Sequence, residues 1–231
     1  MLRDSQDSRS GLTKLRALER QALVDDLHAA GPAAPTLCSG WTAIDVAAHL
    51  VGSEQGWGLP MVTAYRLRRA LPGSVVRRGM ARLQTLGDRQ IERVKRRGWD
   101  ALLARLASGP PRPYQLRSVA PIRYIEEWIH HEDVRRANGL GPRPSSAAED
   151  DALWHAGLEL TALRELLPGR EHVELVLPDG RSHRIGPTST IRVQGKPGEL
   201  LLFLAGRIGA AVVEVTGDPD EIHALHRQLT V

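Results

Sequence analysis

One predicted helix, residues 121–139, carries ionisable side chains on the same side as its apolar residues. At about 100° per residue, the side chains of Glu126, His130 and Asp133 project in similar directions. The apolar residues on that side are Ile122, Ile125, Ile129 and Ala137. Burying a carboxylate and an imidazole is unfavourable unless they are paired, hydrogen-bonded or bound to a metal. The pattern therefore predicts an interior site at which these groups are compensated.

A divalent metal is one way to compensate these groups. Glu126 and His130 lie four residues apart, so their side chains can reach one ion from adjacent helical turns, and Asp133 can orient an imidazole by accepting its hydrogen bond. The third predicted ligand is His49, on a second helix that begins near Thr42. Two histidines and one carboxylate leave a coordination position open, as in catalytic zinc sites, and the same set suits Fe(II) or Ni(II).

Simpler explanations of the same residues remain open from the spacing alone. The carboxylate and imidazole of the first pair can hydrogen-bond to each other, and His49 can be a satisfied core histidine. Glu127 and His131 repeat the four-residue spacing, but we expect them to form a solvated face with Arg135, stabilised by ordinary charge pairing. Cys38 is the single cysteine, which excludes a multi-cysteine zinc site, and we expect it to be a packed thiol.

Two segments resemble a known family: TLCSGWTAIDVAAHL at residues 36–50 and EEWIHHED at residues 126–133. They are similar to the mycothiol-dependent maleylpyruvate isomerase family within the DinB/YfiT-like metalloenzyme superfamily, and most of all to an actinobacterial branch described as metal-binding. The resemblance implies that His49, Glu126 and His130 are the metal ligands. It also implies a helical bundle followed by a small α+β domain.

The resemblance further implies a cofactor and a chemistry. In the family a divalent metal, usually taken as zinc, binds the thiol of mycothiol, the low-molecular-weight thiol of actinobacteria. Coordination lowers the pKa of a thiol, so a thiolate is available at neutral pH to add to an electrophile. We therefore expect isomerase or transferase chemistry on a small electrophilic substrate.

Residues 198–207, GELLLFLAGR, resemble an element of the family's second domain. Arg207 can pair with a substrate or cofactor carboxylate, or it can be an ordinary structural arginine.

Three other classes of function have features of this sequence in their favour. A hydrolase that activates water on the same metal and a non-enzymatic metal- or small-molecule-binding module both fit the ligands. The net charge of +4, from 31 Lys+Arg and 27 Asp+Glu, raises the question of nucleic-acid binding. The basic stretch at residues 66–97 alternates with apolar residues at helical spacing, and no recognised DNA- or RNA-binding motif accompanies it, so we expect no specific nucleic-acid partner.

The chain shows no segment that predicts a membrane or secretory location. No apolar run approaches the roughly 20 residues that a membrane-spanning helix requires. The start, MLRDSQDSRSGLTKLR, lacks the apolar segment that a secretory signal needs after its basic residues. We therefore expect a cytoplasmic protein with no membrane partner.

The elements that position these residues form two predicted domains, at residues 1–145 and 146–231, and an α+β fold overall. The first domain is predicted to be a DinB-like four-helix bundle whose third helix is interrupted near Gly87 or Gly98. Its helices are expected at about residues 12–29, 42–50, 72–108 and 121–138. The second domain is predicted to contain a helix over about residues 149–167, a β-hairpin around Pro178-Asp179-Gly180, and then alternating strands and helices.

Overall fold

The computed structural model describes residues 2–57, 73–115, 119–164, 173–186 and 190–229. The chain divides into two compact units, Met1–Pro142 and Arg143–Val231. The first unit is helical and the second combines helices with a four-stranded sheet, so the predicted α+β class is confirmed. None of the helices within the described ranges is both long and apolar enough to cross a membrane.

Five α-helices make up the described part of the first unit. They are α1 (Leu2–Ala30), α2 (Ala43–Gly52), α3 (Gly73–Lys95), α4 (Trp99–Ala107) and α5 (Ala120–Ala137). Helix α2 continues into a π-helical turn, Ser53–Trp57. The predicted third helix is divided into α3 and α4 at Gly98, whose φ of 86° is a conformation that glycine adopts without steric cost. Gly87 lies inside α3, so only the break at Gly98 is confirmed.

The core of this unit is formed around α2. Its residues Val46, Ala47 and Leu50 are fully buried and pack with apolar residues of α1 and α4. Helix α5 lies along α1 and also contacts α2. Because α5 has neighbours on two sides, charged residues on both sides of this helix are enclosed.

The second unit begins with α6 (Ala147–Arg164) and contains a mixed β-sheet with two further helices. Its strands are β1 (Val173–Val176), β2 (Ser182–Ile185), β3 (Ile191–Gln194) and β4 (Glu214–Thr216). The helices are α7 (Pro197–Leu204) and α8 (Pro219–Leu229). The strand order is β2-β1-β3-β4, with β1 and β3 parallel and the other two pairs antiparallel. The predicted hairpin is confirmed, with Val173 opposite Ile185.

This unit has a hydrophobic core of its own. Leu175 and Val193 of the sheet pack with Phe203 of α7 and Leu225 of α8. Trp154 of α6 belongs to the same cluster. The predicted end of α6 at residue 167 lies outside the described residues.

Candidate metal centre

His49 is positioned by α2, and contacts at the start of that helix stabilise it. Asp45 Oδ2 accepts a hydrogen bond from the Thr42 backbone N–H at 2.9 Å and another from the Thr42 hydroxyl at 2.8 Å. Lys95 pairs with the same carboxylate. These hydrogen bonds fix the start of α2 next to Thr42, where the helix was predicted to begin. One side of α2 is buried in the core, and His49 lies beside it with 13% of its side chain exposed.

The three predicted ligands come together where α2 and α5 meet. His49 Nε2 lies 2.9 Å from Glu126 Oε1, and the ring centroids of His49 and His130 are 4.9 Å apart. One possible ligand atom from each of the three residues lies within 4.8 Å of the other two. Ligand atoms at 2.0–2.1 Å from a tetrahedral zinc ion are roughly 3.3 Å apart, so small side-chain movements would let these atoms share one ion. The ring of Trp41 is 5.2 Å from His49 and 6.0 Å from His130, between centroids.

The protonation states of two of these side chains fit a metal site. Burial lowers the pKa of His49 below its ordinary value of 6.5, which favours the neutral imidazole. Burial opposes ionisation of Glu126, but the Arg123 charge and the His49 hydrogen bond hold the pKa of Glu126 well below its ordinary value. A metal requires neutral imidazoles and ionised carboxylates as ligands. Both groups are therefore in the form that binds a metal.

His130 is oriented by Asp133, as the spacing of the two residues predicted. His130 Nδ1 lies 2.9 Å from Asp133 Oδ2, and Asp133 is fully buried. An imidazole that uses Nδ1 for such a hydrogen bond presents Nε2 as its ligand nitrogen. Cys38 donates to the same carboxylate oxygen, with its Sγ 3.1 Å from Oδ2. The contact of Cys38 with Asp133 was not predicted, because the two residues are 95 positions apart.

A second group of possible ligands shares His130. Cys38, His130 and Asp133 also place one donor atom each within 4.8 Å of the others, and His130 Nδ1 lies 3.9 Å from Cys38 Sγ. In this group the buried carboxylate accepts a hydrogen bond from each of the other two residues, which compensates its charge without an ion. We therefore take the group around His49 as the candidate metal centre, and Cys38 and Asp133 as its support.

The prediction that Glu127, His131 and Arg135 form a solvated face is wrong. Glu127 is 0% and His131 1% exposed, because α5 packs against α1 on this side. Side chains of α1 compensate them: the nearest contacts are 2.6–2.8 Å, with ion pairs from Glu127 to Arg16 and Arg20 and hydrogen bonds from His131 to Glu19 and Asp26. Glu127 and His131 thus have partners in α1, whereas Glu126 and His130 reach the His49 side.

Charged residues behind the site were missed by sequence reasoning. Arg123 is 1% exposed, pairs with Glu126 and donates to Ser53 Oγ at 2.7 Å. It lies three residues before Glu126, a spacing typical of helical ion pairs, so the sequence did contain a signal for this contact. Glu54 is buried in the π-helical turn and pairs with Arg20 at 2.6 Å. No local pattern indicated that pair, which joins residues 34 positions apart.

Arg207 follows α7 in the second unit. Its Nη1 donates to the Ala205 carbonyl at 2.6 Å, and the residue is half-buried. The pairing of Arg207 with a substrate or cofactor carboxylate stays a prediction.

Comparison with known proteins identifies the family and the fold. A family model described as the mycothiol maleylpyruvate isomerase N-terminal domain matches residues 16–135. A crystal structure of the mycothiol-dependent maleylpyruvate isomerase is similar to this chain, with 18% identity, a TM-score of 0.53, and coverage of 91% of this chain and 94% of that one. A crystal structure of a histidine-to-alanine mutant of mycothiol-dependent maleylpyruvate isomerase has 16% identity, a TM-score of 0.51 and the same coverage.

These likenesses confirm the predicted DinB-like fold with its bundle and α+β part. No curated protein sequence gave a match. The family model covers just over half of the chain and includes all three candidate ligands. The chain therefore belongs to the mycothiol maleylpyruvate isomerase N-terminal domain family.

Proposed function

We propose that His49, Glu126 and His130 bind one divalent metal, and that the protein uses the metal and mycothiol for isomerase or transferase chemistry on a small electrophilic substrate. The observation that carries the proposal is the convergence of three donor atoms, within 4.8 Å of one another, from two helices of a chain in this family. Three protein ligands leave a position for an exogenous one, as in catalytic rather than structural sites.

Zinc is the metal that we propose, because two imidazoles and one carboxylate are a common ligand set of catalytic zinc. When bound, such a metal would lower the pKa of a coordinated thiol and so supply a thiolate at neutral pH. The protein prepares the ligands: burial keeps His49 neutral, Arg123 keeps Glu126 ionised and Asp133 orients His130. We expect the reaction to take place in the cytoplasm, where low-molecular-weight thiols are kept reduced.

We also propose that Arg207 pairs with a carboxylate of the substrate or of the thiol cofactor. A guanidinium presents its N–H donors in a planar fork that matches a carboxylate, whereas a lysine ammonium does not. Replacing Arg207 with Lys should therefore raise KM for a carboxylate substrate more than it lowers kcat. Equal kinetics of Arg207→Lys and the unmodified protein would remove this residue from the proposal.

Elemental analysis of protein purified without a metal-affinity tag tests the site. We expect bound metal in the unmodified protein and metal loss in His49→Ala, Glu126→Ala and His130→Ala. The matched control is His155→Ala, because His155 is an exposed histidine of α6. Equal metal content in all variants would eliminate the proposed site.

Turnover assays separate the proposed chemistry from its rivals. Maleylpyruvate is the first probe substrate, assayed with mycothiol, with a different thiol and without thiol. Thiol-dependent turnover that is lost in Glu126→Ala supports the proposal. Turnover without thiol would favour a hydrolase, and tight metal retention with no turnover on any electrophile tried would favour a binding module.

A further inference from the structure

The two carboxylate oxygens of Glu126 have different partners. Oε2 pairs with Nη1 of Arg123, one turn earlier on α5, while Oε1 lies 2.9 Å from His49 Nε2. We infer that Arg123 is a positioning residue: by holding Oε2, it reserves Oε1 of Glu126 for the metal and limits that carboxylate to one coordinating oxygen. This inference rests on the proposed metal site.

Arg123 can act in this way because it is itself fixed at several points. Its side chain is 1% exposed. Nη1 donates to Ser53 Oγ at 2.7 Å, and Nη2 donates to the Leu50 carbonyl at 3.4 Å. The centroid of the Tyr114 ring lies 5.7 Å from Arg123 Cζ, and the Tyr114 hydroxyl donates to the Ser53 carbonyl at 2.6 Å. These contacts leave the side chain little freedom to turn away from Glu126.

The same contacts join the two helices that carry the ligands. Leu50 lies in α2 directly after His49, and Ser53 begins the π-helical turn that follows α2. Arg123 belongs to α5, as Glu126 does. One guanidinium therefore connects the end of α2 with the Glu126 carboxylate and sets where Oε1 lies relative to His49.

The buried charges around Arg123 explain why it stays next to Glu126. Glu54 Oε1 is 3.7 Å from Arg123 Nη2, but the Glu54 carboxylate is bound more closely by Arg20, at 2.6 Å. Glu127, the neighbour of Glu126, is bound by Arg16 at 2.8 Å. Since both other buried carboxylates have closer arginines, Glu126 is the carboxylate that compensates Arg123.

This arrangement has a measurable consequence for the metal. A carboxylate whose Oε2 is held by an arginine keeps its Oε1 in one place, and it cannot chelate a metal with both oxygens. Partners that orient a metal ligand usually contribute about 10–100-fold to metal affinity. Loss of Arg123 should therefore weaken the site and also change the number of coordinating oxygens, whereas a merely structural arginine would affect stability alone.

The test compares Arg123→Met and Arg123→Lys with the control Arg136→Met. Arg136 is another arginine of α5 whose side chain is only 6% exposed, but its partner is Glu132, at 2.7 Å, and not a proposed ligand. The probe is Co²⁺. Its affinity for the protein is measured by chelator competition, and the number and kind of its ligands are measured from the visible spectrum and by X-ray absorption.

We expect Co²⁺ to bind about 10–100-fold more weakly to Arg123→Met than to the unmodified protein, with one more oxygen ligand and a changed visible spectrum. The affinity of Arg123→Lys for Co²⁺ should lie between those two values. Arg136→Met should keep the affinity and spectrum of the unmodified protein. Unchanged affinity and spectrum in Arg123→Met would overturn the inference, provided that Glu126→Gln loses the metal. If Glu126→Gln also keeps the metal, the proposed site itself has failed.

Ser53→Ala keeps the inference testable if both Arg123 variants fail to fold. This change removes one of the two acceptors of Arg123 Nη1, leaves Glu126 Oε2 as the other, and keeps the Tyr114 bond to the Ser53 backbone in place. The variant should fold and bind Co²⁺ roughly threefold more weakly or worse, because one of the hydrogen bonds that fix Arg123 is lost. Affinity equal to that of the unmodified protein would contradict the role of Arg123.

Discussion

His49 Nε2 lies 2.9 Å from Glu126 Oε1, although the two residues are 77 positions apart in the chain. The contact brings together an imidazole that burial keeps neutral and a carboxylate that a buried arginine keeps ionised. The two residues lie in different helices, His49 in α2 and Glu126 in α5. The pairing of α2 with α5 is therefore the structural basis of the candidate metal centre.

Replacing Asp133 with Asn should weaken metal binding without abolishing it. The fully buried Asp133 carboxylate accepts the His130 Nδ1–H hydrogen bond at 2.9 Å, which orients the ring and increases the basicity of its other nitrogen. We expect a loss of about 10–100-fold in Zn²⁺ affinity by chelator competition. Glu132→Gln is the matched control, since Glu132 is also buried in α5 but pairs with Arg136. An equal loss in both variants would point to general destabilisation.

Replacing Cys38 with Ser should leave the metal in place. Cys38 donates to Asp133 through a thiol, and a serine hydroxyl can donate in its stead. The Co²⁺-loaded protein, free of added thiol, should lack the sulfur-to-metal charge-transfer absorption, and Cys38→Ser should bind Co²⁺ with unchanged affinity. If the unmodified protein shows that absorption and Cys38→Ser loses it, then Cys38, His130 and Asp133 are the ligand set instead.

Replacement of Glu126 and of its neighbour Glu127 with Gln should have different effects on metal content and on stability. Glu127→Gln removes the charge that compensates the buried Arg16 and Arg20, so we expect about 3–5 kcal/mol of destabilisation in urea unfolding, with metal content retained in the folded fraction. Glu126→Gln should lose the metal. Metal loss from folded Glu127→Gln, with retention in Glu126→Gln, would reverse the assignment of the two carboxylates.

Asp45 should make stability dependent on pH in the acid range. Burial opposes its ionisation, but the hydrogen bonds from Lys95 and Thr42 lower the pKa of Asp45 below its ordinary 3.8. The unfolded chain thus binds the proton more readily, so this stabilisation is present above pH 3.8 and is lost as the pH falls through the folded-state pKa.

Metal-free Asp45→Asn should therefore be less stable than the unmodified protein at pH 7, by about 0.5–1 kcal/mol, the value typical of a partly exposed ion pair. The difference should shrink when urea unfolding is repeated at successively lower pH values below 3.8. A difference that stays constant down to the lowest pH at which both proteins are folded would show that the charge of Asp45 contributes nothing.

Residue spacing along the chain was enough to predict the local elements and the shared direction of Glu126 and His130. Helical periodicity places Glu126 and His130 on one side of α5, and the turn Pro178-Asp179-Gly180, directly after the mainly apolar residues 173–177, specifies the hairpin of β1 and β2. These features depend on residues close together in the chain, for which spacing and turn chemistry are sufficient.

Which charged side chains are buried, and what compensates them, depends on how the helices pack and could not be predicted from one helix. A solvated face and a buried ion-pair face of a helix have the same charged composition, so Glu127 and His131 could not be assigned from α5 alone. Their partners lie in α1, more than 100 positions away, and Cys38 reaches Asp133 from a distant loop. The free energy of a charged group depends on its solvation and on its nearest opposite charge, and both are set by how the helices pack.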